Sequence, residues 1–149
     1  MRQNFFYGFH MEETSIEKLK NRVLVSAIEH DYARVWLLHE NSTEPVVTVN
    51  RPGVRQMHVR SSQERHMHAS ETGETEYITT LASVLENGSE VLLVGHGKGN
   101  GNMMNKFLKF LADQSPVKVH IAASGNADLS ALTNGQLLQE ARHQWERKL

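Results

Sequence analysis

The sequence predicts an α/β fold in which three layers, helix, sheet and helix, are built on a mixed five-stranded sheet. Strand-forming runs come first and then alternate with helical runs, in the order βββ-α-β-α-β-α. The run from Val91 to Val94 is apolar without interruption, which is typical of a strand buried on both faces of a parallel sheet. It leads through a glycine-rich turn into an amphipathic helix, so residues 90–113 form a βα unit around which the sheet is organised.

Three strands are predicted before the first long helix. Residues 22–28 and 32–39 are rich in strand formers, and only residues 29–31 separate them, which is short enough for a hairpin. A turn cluster at 41–45 precedes a third strand at 46–49. These three strands are expected to form an antiparallel meander.

Three helices are predicted from apolar stripes. The first follows acidic residues that suit the positive end of a helix, and it ends at Asn87 and Gly88, a pair that favours a left-handed terminator. The last begins at Thr133, which forms a capping box with Gln136. The three buried stripes are Tyr77, Ile78, Leu81, Val84 and Leu85; Met103, Met104, Phe107, Leu108 and Leu111; and Leu137, Leu138, Ala141 and Trp145.

A fifth strand is predicted where Val117, Val119 and Ile121 alternate with polar residues, and residues 124–131 are predicted as a loop. Right-handed crossovers place the fourth strand beside the first and the fifth beyond it. The five strands then have the order 3-2-1-4-5, with only the second antiparallel to the others, and helices cover both faces.

Length and composition fit one domain, expected to span residues 21–149 after an N-terminal extension over residues 1–20. The formal net charge is −1 with histidine neutral, which favours no class of partner. The absence of cysteine excludes disulfides, thiolate catalysis and cysteine-ligated metal sites. Neither a membrane span nor a signal peptide is apparent, so a cytoplasmic protein without membrane contact is expected.

The turn after the central strand is a candidate anion-binding loop formed by Gly95, Gly97 and Gly99, with Lys98 beside it. Main-chain amides and the positive end of the next helix suit an anion. The turn lacks the spacing of a P-loop or of a dinucleotide-binding motif, and no acidic residue is predicted at the end of the following strand to bind a ribose hydroxyl. The alternative is that the glycines only permit tight packing of strand and helix.

Residues 51–68 are the compositional outlier of the chain, because four arginines occur there with a single acidic residue, Glu64. Arginines that contact phosphates give a salt-dependent, largely sequence-independent affinity for nucleic acid. The segment is therefore a candidate RNA-binding surface, which Lys106 and Lys109 extend if they share its side of the sheet. The alternative is a solvated loop without a partner. The candidate phosphate contacts are Arg51, Arg55, Arg60 and Arg65, together with Lys98.

Histidines in the same segment raise a metal-dependent hydrolase as an alternative. His66 and His68 alternate and, with His58, offer imidazole nitrogens as ligands. Aspartate occurs only at positions 31, 113 and 128, so the carboxylates of a two-metal site are missing. Neither a metal nor another cofactor is expected.

An aromatic cluster near the N-terminus raises a third hypothesis. Phe5, Phe6, Tyr7 and Phe9 would dock either on the body of the domain or on a partner chain. On this hypothesis the protein is an adaptor or an oligomer without a nucleic-acid role.

The element order and several short stretches resemble the middle domain of archaeo-eukaryotic class-I release factors and Pelota, and most closely the bacterial branch of that superfamily. The resemblance covers about residues 21–149. It implies a sheet related to ribosomal-protein-like and ribonuclease-H-like folds, and a translation-related role in contact with the ribosome, ribosomal RNA or tRNA. The matching stretches are 23–27 with 33–35, the strand, loop and helix over 91–107, and 132–142.

In true release factors the loop between the third strand and the first long helix carries Gly-Gly-Gln, which promotes hydrolysis of peptidyl-tRNA. The equivalent stretch here, residues 51–70, has Ser61, Ser62 and Gln63 instead, so Gln63 is the positional counterpart of the family glutamine. Serine side chains narrow the backbone torsions that glycines leave open. The resemblance therefore implies a stand-alone release-factor-like domain without catalysis, and the alternative is a peptidyl-tRNA hydrolase acting through Gln63.

Overall fold

A computed structural model describes residues 3–6, 9–53, 73–97, 102–113 and 115–148, with side chains from residue 15 onward. Within these ranges the chain forms seven strands and four helices. The strands are β1 (Gln3–Phe6), β2 (Phe9–Glu12), β3 (Val23–Ile28), β4 (Tyr32–Leu37), β5 (Val47–Asn50), β6 (Glu90–Gly95) and β7 (Ile121–Asn126); the helices are α1 (Glu13–Leu19), α2 (Glu74–Leu85), α3 (Met103–Asp113) and α4 (Asn134–Lys148).

The five-stranded sheet has the order β5-β4-β3-β6-β7, which confirms the predicted order 3-2-1-4-5. β4 pairs antiparallel with β3 and β5, whereas β6 pairs parallel with β3 and β7. As predicted, β4 is the only strand of this described sheet that runs against the others. The carboxyl ends of β3, β5, β6 and β7 therefore lie along one edge, called here the carboxyl edge.

Two apolar clusters lie on opposite faces of the sheet, because successive strand residues point to opposite sides. Leu24 and Ile28 of β3 belong to the cluster under α2 and α3, whereas Val25 and Ala27 belong to the cluster under α4. Helices cover both faces, and the predicted three-layer architecture is confirmed. A buried side chain of this kind stabilises the fold by about 1.5–3 kcal/mol relative to its exposed state.

The N-terminal part contains a hairpin that the sequence did not indicate. β1 and β2 pair antiparallel, with Phe6 opposite Phe9. Leu19, the last residue of α1, is fully buried in the cluster under α2 and α3, so the end of the predicted extension packs on the domain. The side chains of Phe5, Phe6 and Phe9, and the whole of Tyr7, lie outside the described residues, and their docking stays a prediction.

The last strand lies further along the chain than predicted. β7 spans Ile121–Asn126, half of it within the predicted loop, whereas Val117 and Val119 form no strand. The predicted strand position is wrong because pairing with β6, and not side-chain alternation, decides where β7 forms. The Val91 amide donates to the His120 carbonyl oxygen at 2.8 Å, and from there small residues continue the ladder.

The two predicted helix boundaries have different outcomes. α2 does not end in a left-handed residue, because Gly88 is not among the described residues with positive φ. Instead the Asn87 side-chain amide donates to the carbonyl oxygens of Ser83 and Val84 at 3.1 and 2.9 Å.

The capping box of α4 is confirmed. The main-chain amide of Gln136 donates to Thr133 Oγ1 at 3.1 Å, and the main-chain amide of Thr133 donates to Gln136 Oε1 at 2.9 Å.

Candidate functional site at the carboxyl edge

Both stretches singled out by the sequence are attached to the carboxyl edge. The arginine-rich segment follows β5, and the glycine turn follows β6. β5 and β6 run in the same direction, so both stretches leave the sheet on the same side. They start about 14 Å apart, which is three strand spacings of about 4.8 Å.

The two ends of the arginine-rich segment are in contact. A Cβ atom on Gly73 would lie 3.0 Å from the Pro52 carbonyl oxygen and 3.4 Å from the Arg51 side chain. Nη2 of Arg51 also lies 3.9 Å from the Glu74 carboxylate at the start of α2. Residues 54–72 are thus joined to the domain through one closed base, formed by residues 51–53 and 73–74.

Arg51, one of the predicted phosphate contacts, is only 2% exposed. Its Nη1 donates to the His30 carbonyl oxygen at 3.3 Å, and its main-chain amide donates to the Asp31 carbonyl oxygen at 2.8 Å. The His30 and Glu74 contacts hold the guanidinium in the interior of the domain, and the bond to Asp31 fixes the main chain of Arg51. Arg51 therefore fixes the base of the segment to the turn between β3 and β4.

Lys106 extends this base on the side of α3. Its Nζ donates to the Glu74 carboxylate at 3.0 Å, so one carboxylate faces both Lys106 and Arg51. Lys109 is exposed one turn further along α3 and, with Lys106, lines a shallow pocket of about 300 Å³ between α2 and α3. Both lysines thus lie beside the base of the arginine-rich segment.

Most of the predicted site residues lie outside the part of the chain that the structure describes, and their roles stay predictions. Among residues with described side chains, no group of three or more histidine, aspartate or glutamate residues is arranged to hold a metal ion. None of the helices in the described ranges is both long enough and apolar enough to cross a bilayer. The predicted residues outside these ranges are Arg55, Arg60, Arg65, Lys98, Gly99, Gln63, His58, His66 and His68.

Gly95 lies where β6, α3 and β7 approach one another most closely. A Cβ atom on Gly95 would be 2.8 Å from Met104 Cβ and 2.8 Å from Asn126 Oδ1. Gly97, at the start of the turn, has a φ of 93°, which favours glycine. Close packing therefore requires glycine at position 95, and the backbone conformation favours glycine at position 97. Both agree with the alternative that the turn permits tight packing of strand and helix.

Asn102 connects the glycine turn to both neighbouring elements. It is fully buried, and its Oδ1 accepts the Asn105 amide at 3.1 Å, which caps α3. Its Nδ2 donates to the Gly97 carbonyl oxygen at 3.1 Å and to Asn126 Oδ1 at 2.6 Å. These bonds fix the first turn of α3 against the end of β7.

His96 and Asp128 face each other just beyond the ends of β6 and β7. The Leu129 amide donates to His96 Nδ1 at 2.9 Å, which places the proton of the neutral ring on Nε2. Oδ1 of Asp128 accepts the Ser130 hydroxyl at 2.6 Å and lies 4.0 Å from His96 Nδ1. The hydrogen bond from the Ser130 side chain lowers the pKa of Asp128, so its carboxylate stays charged at neutral pH.

An open cleft of about 540 Å³ lies at these strand ends. Its lining combines amide and imidazole groups with one carboxylate, so it offers hydrogen bonds of both kinds to a polar ligand. None of the lining residues that the structure describes is a serine, threonine or lysine that would act as a nucleophile. The lining residues are His96, Gly97, Asn102, Asn105, Asn126, Ala127 and Asp128.

The sequence did not single out His96, Asn102, Asn126 or Asp128. Asp128 had a usable signal, since an acidic residue just after a strand that follows a glycine turn suggests a ribose contact. The pattern did not indicate Asp128, because the fifth strand was predicted to end at Ile121 and Asp128 was then predicted to lie in the middle of a loop. The structure corrects this: Asp128 is two residues beyond β7.

The chain matches no protein-family model, no curated protein and no solved structure. The interpretation as a release-factor-like domain therefore rests on the residues of the chain itself.

Proposed function

We propose that the chain holds a release-factor-like domain that binds ribosomal RNA or tRNA in a translation-related role, without catalysing hydrolysis. One observation carries the proposal. The closed base of the arginine-rich segment and the start of α3 lie along the same edge of the sheet. A basic segment and a set of helix amides on one edge form a surface suited to phosphates.

The charges near the base support this assignment. Residues 54–72 contain Arg55, Arg60 and Arg65 against two glutamates, so the segment carries a positive excess. Lys106 and Lys109 lie beside its base. The Glu74 carboxylate is shared by Arg51 and Lys106, so its charge is balanced by these two contacts.

The absence of catalysis is proposed from the sequence of the same segment. Ser61, Ser62 and Gln63 stand where true release factors have Gly-Gly-Gln. The alternative is a hydrolase that acts through Gln63, or through a metal held by His58, His66 and His68, and all of these residues lie outside the described part of the chain. Peptidyl-tRNA hydrolysis measured with and without added divalent metal tests both alternatives.

The test of RNA binding is a salt titration. Labelled tRNA and ribosomal subunits are mixed with the protein at salt concentrations from roughly 50 to 300 mM, and affinity is followed by anisotropy or co-sedimentation. The variant replaces Arg55, Arg60 and Arg65 with alanine. The control replaces Arg22, Lys118 and Lys148, three exposed residues, of which the first two lie at the opposite edge of the sheet.

The wild-type protein is expected to lose affinity steeply with salt. Each phosphate contact adds about 0.7–0.9 to the slope of log affinity against log salt, so the arginine variant should lose about two units of slope. The control variant removes the same charge and should keep the wild-type slope. Equal slopes for both variants, or no binding by the wild-type protein, would overturn the proposal.

A further inference from the structure

We propose that Asp128 makes the carboxyl edge selective for ribonucleotides, by accepting a hydrogen bond from a ribose 2′-hydroxyl group in the cleft between the ends of β6 and β7. This inference rests on the proposed RNA-binding function and names the chemistry by which the same edge distinguishes RNA from DNA. The 2′-hydroxyl is the group that RNA has and DNA lacks.

Asp128 has the position that such a contact requires. β6, α3 and β7 form a βαβ unit with parallel strands, and Gly95 lies opposite Asn126 at the ends of the two strands. Asp128 follows two residues later and lines the cleft. In nucleotide-binding βαβ units a carboxylate just after the second strand accepts a ribose hydroxyl.

The Asp128 carboxylate keeps an open acceptor. Oδ1 accepts the Ser130 hydroxyl and amide, at 2.6 and 3.2 Å, whereas Oδ2 accepts no hydrogen bond from any side chain or main chain that the structure describes. The side chain is 66% exposed. Because an ionised carboxylate only accepts hydrogen bonds, the ligand must bring a donor, and in a nucleic-acid backbone the ribose hydroxyl is that donor.

Other residues of the cleft lining offer donors. His96 Nδ1 is occupied by the Leu129 amide, which leaves Nε2–H of the neutral ring to donate. Asn126 Oδ1 is occupied by Asn102, which leaves the Asn126 amide group to donate. A phosphodiester accepts hydrogen bonds and a neighbouring 2′-hydroxyl donates one, so a ribonucleotide complements both the donors and the Asp128 acceptor, whereas a deoxyribonucleotide complements only the donors.

The experiment compares single-stranded RNA and DNA of the same base sequence. Asp128→Asn leaves Oδ1 to accept from Ser130 and puts an amide nitrogen, which only donates, in place of Oδ2. Affinities are measured by anisotropy for the wild-type protein, for Asp128→Asn and for Asp113→Asn. The last variant is the control, because it removes the same charge from an exposed residue at the far end of α3. Asp128→Ala is a second test variant, and circular dichroism checks that each variant is folded.

The wild-type protein and the Asp113 variant are expected to bind RNA about tenfold more tightly than DNA, as for one hydrogen bond to a charged group. Both Asp128 variants should bind RNA and DNA within about twofold of each other. Equal wild-type affinities for RNA and DNA, or a preference that survives in both Asp128 variants, would overturn the inference while leaving RNA binding intact.

The same ligand chemistry also occurs in free ribonucleotides, and a second set of titrations separates the two sources. Adenosine monophosphate and its 2′-deoxy analogue are titrated against the same proteins. Tighter binding of the ribonucleotide, lost in the Asp128 variants and seen without RNA binding, supports the inference and rejects the proposed function. If no nucleotide and no nucleic acid binds, both proposals fail.

Discussion

Nδ2 of Asn102 lies 2.6 Å from Oδ1 of Asn126, and this hydrogen bond joins the beginning of α3 to the end of β7. The same Asn102 side chain caps α3 and holds the Gly97 carbonyl oxygen. Because Asn102 is fully buried, its bonds are shielded from competing water. The Asn102 side chain therefore fixes three elements that line the cleft, the glycine turn, the start of α3 and the end of β7, relative to one another.

Replacing Asn102 tests this relationship. Asn102→Ala removes the cap of α3 and the donor to two oxygens, so we expect the free energy of unfolding to fall by about 1–3 kcal/mol. Asn102→Asp keeps the capping oxygen but sets a buried carboxylate oxygen against the Gly97 carbonyl oxygen and Asn126 Oδ1, so it should lose at least as much. Urea denaturation gives the values. Asn105→Ala, an exposed site in the same turn of α3, should change stability by less than about 0.5 kcal/mol; equal losses at both sites would contradict the role of Asn102.

Gly95→Ala tests the close approach at the end of β6. The new methyl group would meet Met104 and Asn126 at 2.8 Å, so we expect a loss of about 1–3 kcal/mol in urea denaturation. Gly125→Ala is the matched control. It lies in the neighbouring strand, and a Cβ atom there meets nothing within 4 Å. If Gly125→Ala proves as destabilising as Gly95→Ala, close packing is not the reason for Gly95.

Tyr77→Phe is expected to change the alkaline stability of the protein. Burial holds the pKa of Tyr77 well above its ordinary value, and its hydroxyl donates to the Glu29 carbonyl oxygen at 2.7 Å. A raised folded-state pKa gives stability that is complete below about pH 10, the unfolded pKa, and declines as the pH rises above it. The phenylalanine variant should lose about 1 kcal/mol at neutral pH and show a shallower decline above pH 10.

Thermal unfolding at pH values between about 7 and 11 measures this effect. Tyr32→Phe provides the comparison. The hydrogen bond with the Glu29 side chain also raises the pKa of Tyr32, so this variant should lose a smaller part of the alkaline decline and keep the part that Tyr77 causes. A decline of the same steepness in Tyr77→Phe would show that another group causes it.

Glu74→Gln tests the base of the arginine-rich segment. The change weakens the contacts of one carboxylate with Arg51 and Lys106, and a loss of about 1–2 kcal/mol is expected in urea denaturation. Glu76→Gln is the control, since it removes the same charge from the first turn of α2. Equal effects of the two substitutions would mean that only the helix dipole was disturbed.

Features encoded by neighbouring residues were predictable from the sequence. The capping box of α4 depends on Thr133 and Gln136, three positions apart, and the apolar run of β6 from Val91 to Val94 is continuous in the sequence. The strand order followed from the element order together with the handedness of crossovers. Each of these signals is complete within a short stretch or is a general rule of chain topology.

Features that depend on distant partners were not predictable. β7 is an edge strand of small residues whose position is set by β6, so the alternation at 117–121 was misleading. The burial of Arg51 depends on Glu74 and on the turn at His30, which no local pattern reveals. Asn102 and Asn126 are 24 positions apart, and their meeting requires the complete βαβ unit.

The contact between Pro52 and Gly73 has a practical consequence for protein engineering. Because Pro52 and Gly73 lie side by side, the framework does not set the number of residues between them. The entropy of closing a loop changes only slowly with its length. A shortened protein in which a tight turn joins these two points should keep the framework, and foreign peptides inserted at this position would be attached at a fixed place on the carboxyl edge.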